Sequence, residues 1–574
     1  MTGAVGQNVN VSGAGTLQLS GNTINGTPSL GILVDNANSF TLTITASLKA
    51  GGNQTWMNNS ANLLSIAAVD VNNKALSVSG TGSTLFSGVL SGNGSLTKQG
   101  SGTLTLSGAN TYTGTFAVSA GTMQFAKEVS LYNNNTASWT AANLAVASGA
   151  TAAFNVGGTG EFTSSDLDIL KALGTNTGGF ENGSFLGLDT TNASAGSFTY
   201  ASNIANPNGG ANVLGLTKLG TGTLVLSGAN SYTGVTTVEA GVLNIQNATA
   251  LGTTGSGTTV VSGATLAMQN NITVGGEALT ISGNGAGGQN GALVNVSGTN
   301  NYGGLVTLGA ASTISSDSGT LNLTNIGTIT GSGLGLTLTG SGNGSIASII
   351  GTGTGTLTKN GSGTWTLSGN NTFSGNVTVN NGTLVAAAVL GSALANNANI
   401  TVNAGGTLQL GASDQINNAA ALTLAGGTFA KGNFHEGSTI AAGLGALNLT
   451  ASGSHLDFGT GIVGVLAFAS FNPGGNILTI DNWTGTASTI GSVLTDRLIF
   501  NSDQTANLGL FQFTGFNAGG VQFALGGGFF EITPAPEINP GMATGIIGLA
   551  AALTSVIQAL RKSRRGPRKA KSRF

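Results

Sequence analysis

The sequence predicts an all-β protein built as a stacked parallel β-solenoid, and three observations carry that prediction. A unit of about thirty residues recurs three times with its glycines and apolar residues in the same places. Within each unit apolar and small polar residues alternate with a period of two, the mark of a strand with one buried face. Glycine supplies 97 of the 574 residues without the three-residue period of collagen, and only Pro28, Pro207 and Pro473 precede Pro534. Scarce proline suits strands that must keep their ladder donors.

The first unit carries Lys98, Gly100, Gly102, Leu104, Leu106, Ser107, Gly108, Asn110, Tyr112, Gly114, Val118, Gly121 and Met123. The second keeps Lys218, Gly220, Gly222, Leu224, Leu226, Ser227, Gly228, Asn230, Tyr232, Gly234, Val238, Gly241 and Leu243, and the third Lys359, Gly361, Gly363, Trp365, Leu367, Ser368, Gly369, Asn371, Phe373, Gly375, Val379, Gly382 and Leu384. Leu104 and Leu106, flanked by Thr103 and Thr105, share one face of a strand. Ser107 and Gly108 end it. A second strand is predicted from Tyr112 to Val118, a turn at Ala120 and Gly121, and a third strand from Thr122 with Met123 and Phe125 inward. An Asn-Gly hairpin signal occurs only in the third copy, at Asn381-Gly382, which favours coils stacked in parallel over a meander.

Asn110, Asn230 and Asn371 hold one position, where amide side chains satisfy the polar groups of successive coils in preference to contacting a ligand. Lys98, Lys218 and Lys359 precede a strand and read as a solvated corner in preference to an anion-binding row.

These units resemble the autotransporter-associated β-strand repeat, or passenger-associated transport repeat, of long exported bacterial surface proteins. Lysine, paired glycines, Thr-Leu-x-Leu-Ser-Gly and aromatic-x-Gly carry the resemblance. It implies a right-handed β-helix, a surface location and no enzymatic activity; the handedness rests on the resemblance alone.

Residues 1–93 read as degenerate coils. The N-terminus lacks a basic and then apolar leader, which is expected of a truncated chain or a misplaced start. Gly15 to Gly21 already resembles the strand core, and Leu42 to Leu48 and Leu76 to Val89 continue in short strands. Residues 94–414 form the solenoid with clear repeats at 98–123, 218–243 and 359–384. Thr258 to Leu266 and Ile400 to Leu410 read as following coils, with weaker copies at Gly319 to Leu323 and Leu334 to Gly340. Between the first two repeats, Thr163 to Leu173 predicts a short helix capped by Ser164 or Ser165, with Asp166 and Asp168 in its first turn. Residues 415–533 read as further coils and a C-terminal cap, because an open coil end exposes core and strand edges.

Residues 534–574 form a distinct tail. Pro536-Glu537-Ile538-Asn539-Pro540 is followed by Gly541 to Leu560, twenty residues without a charge. As a helix this stretch matches the roughly 30 Å hydrocarbon core of a bilayer. Arg561, Lys562, Arg564 and Arg565 open a basic end, placing the tail inside and the body outside. This layout resembles the PEP-CTERM sorting tail, which implies membrane anchoring and a sorting protease of exosortase type; two residues are inserted before the second proline of the motif.

Charge bounds the partners. Up to Leu560 the chain holds nine basic and nineteen acidic residues, and its one arginine there is Arg497, so the body offers no basic face to nucleic acid. Without cysteine there is neither a disulfide nor a thiolate metal site. Asp166 and Asp168 supply too few of the six to eight oxygens that calcium takes. Gly283, Gly285 and Gly288 match the dinucleotide fingerprint, but Ala292 to Val296 reads as a strand where a helix is required. His455 and Asp457 come nearest to a catalytic dyad and read as a satisfied polar pair. The chain is therefore expected to be a non-enzymatic, exported surface solenoid without a cofactor or metal, presenting Thr, Ser and Asn to glycans or neighbouring proteins. The alternatives are a carbohydrate-active β-helix enzyme using His455, Asp457 and further acids, or a self-assembling extracellular matrix protein.

Overall fold

The structure, a computed structural model, describes residues 9–36, 41–397, 399–437, 443–492 and 494–536. The chain divides into two compact units, Met1–Ala398 and Asn399–Phe574.

In the first unit short strands stack in parallel, each bonded to its counterpart one coil on. Leu64–Ile66, Thr84–Phe86, Thr103–Leu106, Thr122–Phe125, Thr151–Asn155 and Ser184–Asp189 form one such ladder. Because the side-chain period is two, register places two columns inside: Leu64, Thr84, Leu104, Met123, Ala152 and Leu186, then Ile66, Phe86, Leu106, Phe125, Phe154 and Leu188. All twelve are buried. Each large aliphatic or aromatic member contributes about 1.5–3 kcal/mol of apolar transfer, and Phe125 stacks on Phe154 with centroids 5.6 Å apart.

The corners explain the glycines. A Cβ on Gly102 would stand 2.2 Å from the Gly82 carbonyl oxygen of the preceding coil. Gly121 has φ +65° and would bring its Cβ within 2.4 Å of the Gly100 oxygen. Successive corners nest backbone against backbone, so a side chain has no room there.

The second predicted strand of the repeat is shorter than expected, covering only Phe116–Val118. The Tyr112 hydroxyl shares its one hydrogen between the Gly94 and Thr115 carbonyls, 2.6 and 2.7 Å away, which turns the preceding residues into a corner. The expected helix spans Ser164–Leu170 and buries Leu167 and Leu170, but its cap is Thr163, not Ser164 or Ser165. Thr163 and Asp166 exchange capping-box hydrogen bonds. After this insertion Ser184–Asp189 pairs with Thr151–Asn155 on one side and Leu214–Leu219 on the other, handing the stack to the lysine-bearing strand of the second repeat. Past Leu279–Gly283 the next element is the strand Leu293–Asn295, so Gly285 and Gly288 open no helix.

The second unit stacks Asn399–Asn403, Ala421–Ala425, Leu444–Ala451, Val465–Asn472 and Arg497–Phe500 in parallel. Its last strands reverse direction: Phe529–Ala535 runs antiparallel to both Asn517–Gly526 and Arg497–Phe500. Phe471 packs between Phe500 and Phe511 beneath this hairpin, and Trp483 between Phe458 and Phe513. Among the described residues no helix is long and apolar enough to cross a membrane. The span expected at 541–560 lies outside them, as do Glu537, Pro540, Arg561, Lys562, Arg564 and Arg565.

Candidate functional site: the repeat corner and the outward polar rows

The lysines are not solvated. In each repeat the strand alternates leucine, threonine, lysine, so Lys98 takes the inward column between Val78 and Val118, Lys218 that between Leu188 and Val238, and Lys359 that between Leu338 and Val379. All three are at most 1% exposed. The expectation of a solvated corner is thus overturned, and the reason is a ready cage of acceptors. Lys98 Nζ donates to the carbonyls of Gln99, Gly100 and Ala120 at 2.7, 2.7 and 3.3 Å. Lys218 donates to Leu219, Gly220 and Ala240, and Lys359 to Asn360, Gly361 and Asn381, at 2.7 to 2.9 Å. Two acceptors belong to the lysine's own corner and the third to the next coil. Burial pushes each ammonium down to about 8, while the three carbonyls resist proton loss, because only the protonated form has three hydrogens to give.

The asparagines clamp three coils. Asn110 accepts from the Leu90 amide and donates to the Ser130 carbonyl; Asn230 joins Ile204 to Ala250, and Asn371 joins Ile350 to Ala393. Their partners are backbone groups, so the side chains act singly between coils and form no asparagine-to-asparagine ladder. Gly108, Gly228 and Gly369 sit against carbonyls of the preceding coil at distances that exclude a Cβ, as do Gly222 and Gly363. Leu104, Leu106, Leu224, Leu226, Trp365 and Leu367 fill the interior.

The family model of the passenger-associated-transport-repeat matches residues 96–125, 216–245 and 357–386. The chain carries three passenger-associated-transport-repeats. Each match runs from the leucine two places before the caged lysine to the end of the strand after the glycine corner. No curated protein matches the chain, and no solved structure matches it. The passenger-associated-transport-repeat is a structural repeat of passenger domains, and with a parallel solenoid it fits an autotransporter-like surface passenger.

Two relatives of the corner escaped the sequence reading. Asn300, Tyr302, Gly304 and Val306 reproduce the spacing of Asn230, Tyr232, Gly234 and Thr236, and Asn300 likewise accepts from the amide of the preceding coil, that of Ile272. Unlike Tyr232, whose hydroxyl meets that of Thr236 at 2.5 Å, Tyr302 has no hydrogen-bond partner for its hydroxyl among the described residues, nor has Glu277 for Oε2. Burial raises both groups. In the second unit Lys431 is caged in the same way by the Gly432 and Ile462 carbonyls, with the buried Asp496 carboxylate 3.3 Å away as its third partner. Its signal was Phe429-x-Lys431, the same alternation as Leu96-x-Lys98.

Outward positions carry polar rows. Thr217, Thr237, Thr259, Thr280 and Thr307 stand in register, one per coil. On another face Thr273, Asn301, Asn322 and Ser345 are linked side chain to side chain at 2.7 to 3.0 Å. His455 does not pair with Asp457: its Nδ1 meets Asp481 at 2.7 Å, whereas Asp457 accepts from the Gly459 amide and Asn482. Asp166 is used by the helix cap, and Asp168 is held by Lys171, Tyr200 and Ser202, its carboxyl lowered by the Lys171 hydrogen bond first. Among the described residues no three acids or histidines are grouped to hold a metal ion.

Proposed function

We propose that this chain is an exported, non-enzymatic β-solenoid with a structural or adhesive role at the bacterial surface, held at the membrane through residues 534–574. The observation that carries the reading is the in-register outward row from Thr217 to Thr307, one hydroxyl per coil. A repeated array of weak donors and acceptors gains avidity from many simultaneous contacts with a glycan or neighbouring protein. The family match supports export; the charge-free stretch before Arg561 supports anchoring, with an exosortase-type protease as the processing partner.

The experiment compares the full chain with one ending at Phe530 in the host cell. The reading predicts that the full chain stays with the cell envelope and the shortened one is released to the medium. Equal retention of both would overturn the anchoring role of the tail.

A further inference from the structure

We propose that the groove between the Asn110–Thr113 corner and the loop 131–143 is a binding site for a neutral, polyhydroxylated ligand, a segment of glycan. This deepens the adhesive reading and rests on it for the ligand class.

The loop is longer in the first repeat than in the second. Fourteen positions separate Ser130, the acceptor of the Asn110 amide, from Leu144, whereas eight separate the equivalent Ala250 from Thr258, so the first copy carries six extra residues. The insertion is anchored at both ends. The Tyr132 hydroxyl shares its one hydrogen between the Gly114 and Asn143 carbonyls, and the Trp139 indole donates to Leu131 and packs near Phe162.

Within the insertion Tyr132, Asn133 and Asn134 follow one another at φ +53°, +52° and +58°. Most left-handed positions of this chain are glycine, which adopts them without strain. Asparagine tolerates this region better than other side chains, so the strain here falls on Tyr132, and such strain gathers where side-chain placement serves binding.

The groove beside them has a volume of about 310 Å³, the lower end of the range for small-ligand sites. Asn135, Asn143, Ser138, Thr111 and Thr113 line it together with Asn133, over edges of Tyr112 and Tyr132, and no charged side chain is among its lining residues. The exposed Asn133 carboxamide makes no hydrogen bond among the described residues, while Asn134 is tied to Glu128 and Asn135 to Ser138. An ion would find no countercharge here, and an apolar ligand would strip water from amides without replacing it. Sugar hydroxyls donate and accept, as carboxamides do.

The test is calorimetric titration of the purified full chain, in mild detergent, with cellohexaose, maltohexaose, mannohexaose and chitohexaose, and with hexagalacturonate as an anionic probe. At least one neutral hexasaccharide should bind saturably and more tightly than hexagalacturonate. Asn133→Gly removes the amide at a left-handed position that glycine adopts freely, so it should weaken binding about tenfold or more with the unfolding temperature unchanged or raised; Thr111→Val should weaken binding too. Asn301→Ala, on a different face, should leave binding as it was. Absence of saturable neutral binding, preference for the anionic probe, or wild-type affinity in Asn133→Gly would overturn the proposal. The purified protein is tested apart from its cellular location, so failure here leaves the surface reading standing, and the reverse holds.

Discussion

Lys218 shows how a charge comes to lie in a core. Its ammonium reaches three corner carbonyls, of which that of Leu219 also accepts from the Thr190 amide, and a buried acceptor that loses its donor costs about 1–3 kcal/mol. Lys218→Met keeps the volume and deletes the donors, so the urea unfolding midpoint should fall by the equivalent of about 2–3 kcal/mol; an unchanged midpoint would show that the cage contributes nothing. Lys431→Met should cost more, about 3–5 kcal/mol, because it strands the buried Asp496 charge. Asn230 separates its two roles cleanly. Asn230→Asp retains the acceptor for the Ile204 amide and loses the donor to Ala250, so hydrogen exchange at Ile204 should stay slow in that variant and accelerate in Asn230→Ala.

Glu436 makes the second unit sensitive to pH. Its carboxyl is buried, accepts from the Gln415 and Ile416 amides, and lies near Asp414; burial pushes it up from 4.5 to about 8. A carboxyl with a raised folded pKa favours the fold when protonated. Stability from this group is therefore complete below about pH 4.5 and is lost as pH rises to about 8. Glu436→Gln should flatten that decline in unfolding midpoints measured from pH 5 to 9, and an undiminished slope would assign it elsewhere.

At the scale of the element, the period-two pattern made the strands legible. Thr103–Leu106 and Thr122–Phe125 lie where alternation and glycine turns place them. The inward place of Lys98 was written in the same alternation, two residues after Leu96; charge argued against it because the acceptors are backbone carbonyls, two at its own corner and one from the next coil, which residue types do not announce. His455 illustrates the complementary limit. Its partner Asp481 is 26 residues away, and coil lengths vary with inserted loops, so spacing alone could not pair them. The groove was illegible for a related reason, since a six-residue insertion says nothing of the backbone angles inside it. The glycine corners give the sharpest element-scale prediction. Gly102→Ala would force a methyl against the Gly82 carbonyl, and the resulting shift should destabilise by about 1–3 kcal/mol, whereas Ala at Gly255, with nothing within 4 Å, should be neutral.

For the whole molecule, the passenger-associated-transport-repeats and the parallel stacking point to an exported surface protein, its outward face offering polar rows in register. Several described carboxylates, among them Asp166, Asp168, Asp457, Asp481 and Asp496, are held by caps, corners or ion pairs. The measurement that bears most directly on the account is external accessibility of the solenoid, read with an epitope inserted at the exposed Gly255 and antibody labelling of intact host cells. The account predicts labelling without permeabilisation and its loss after external protease. Labelling only in permeabilised cells would contradict it.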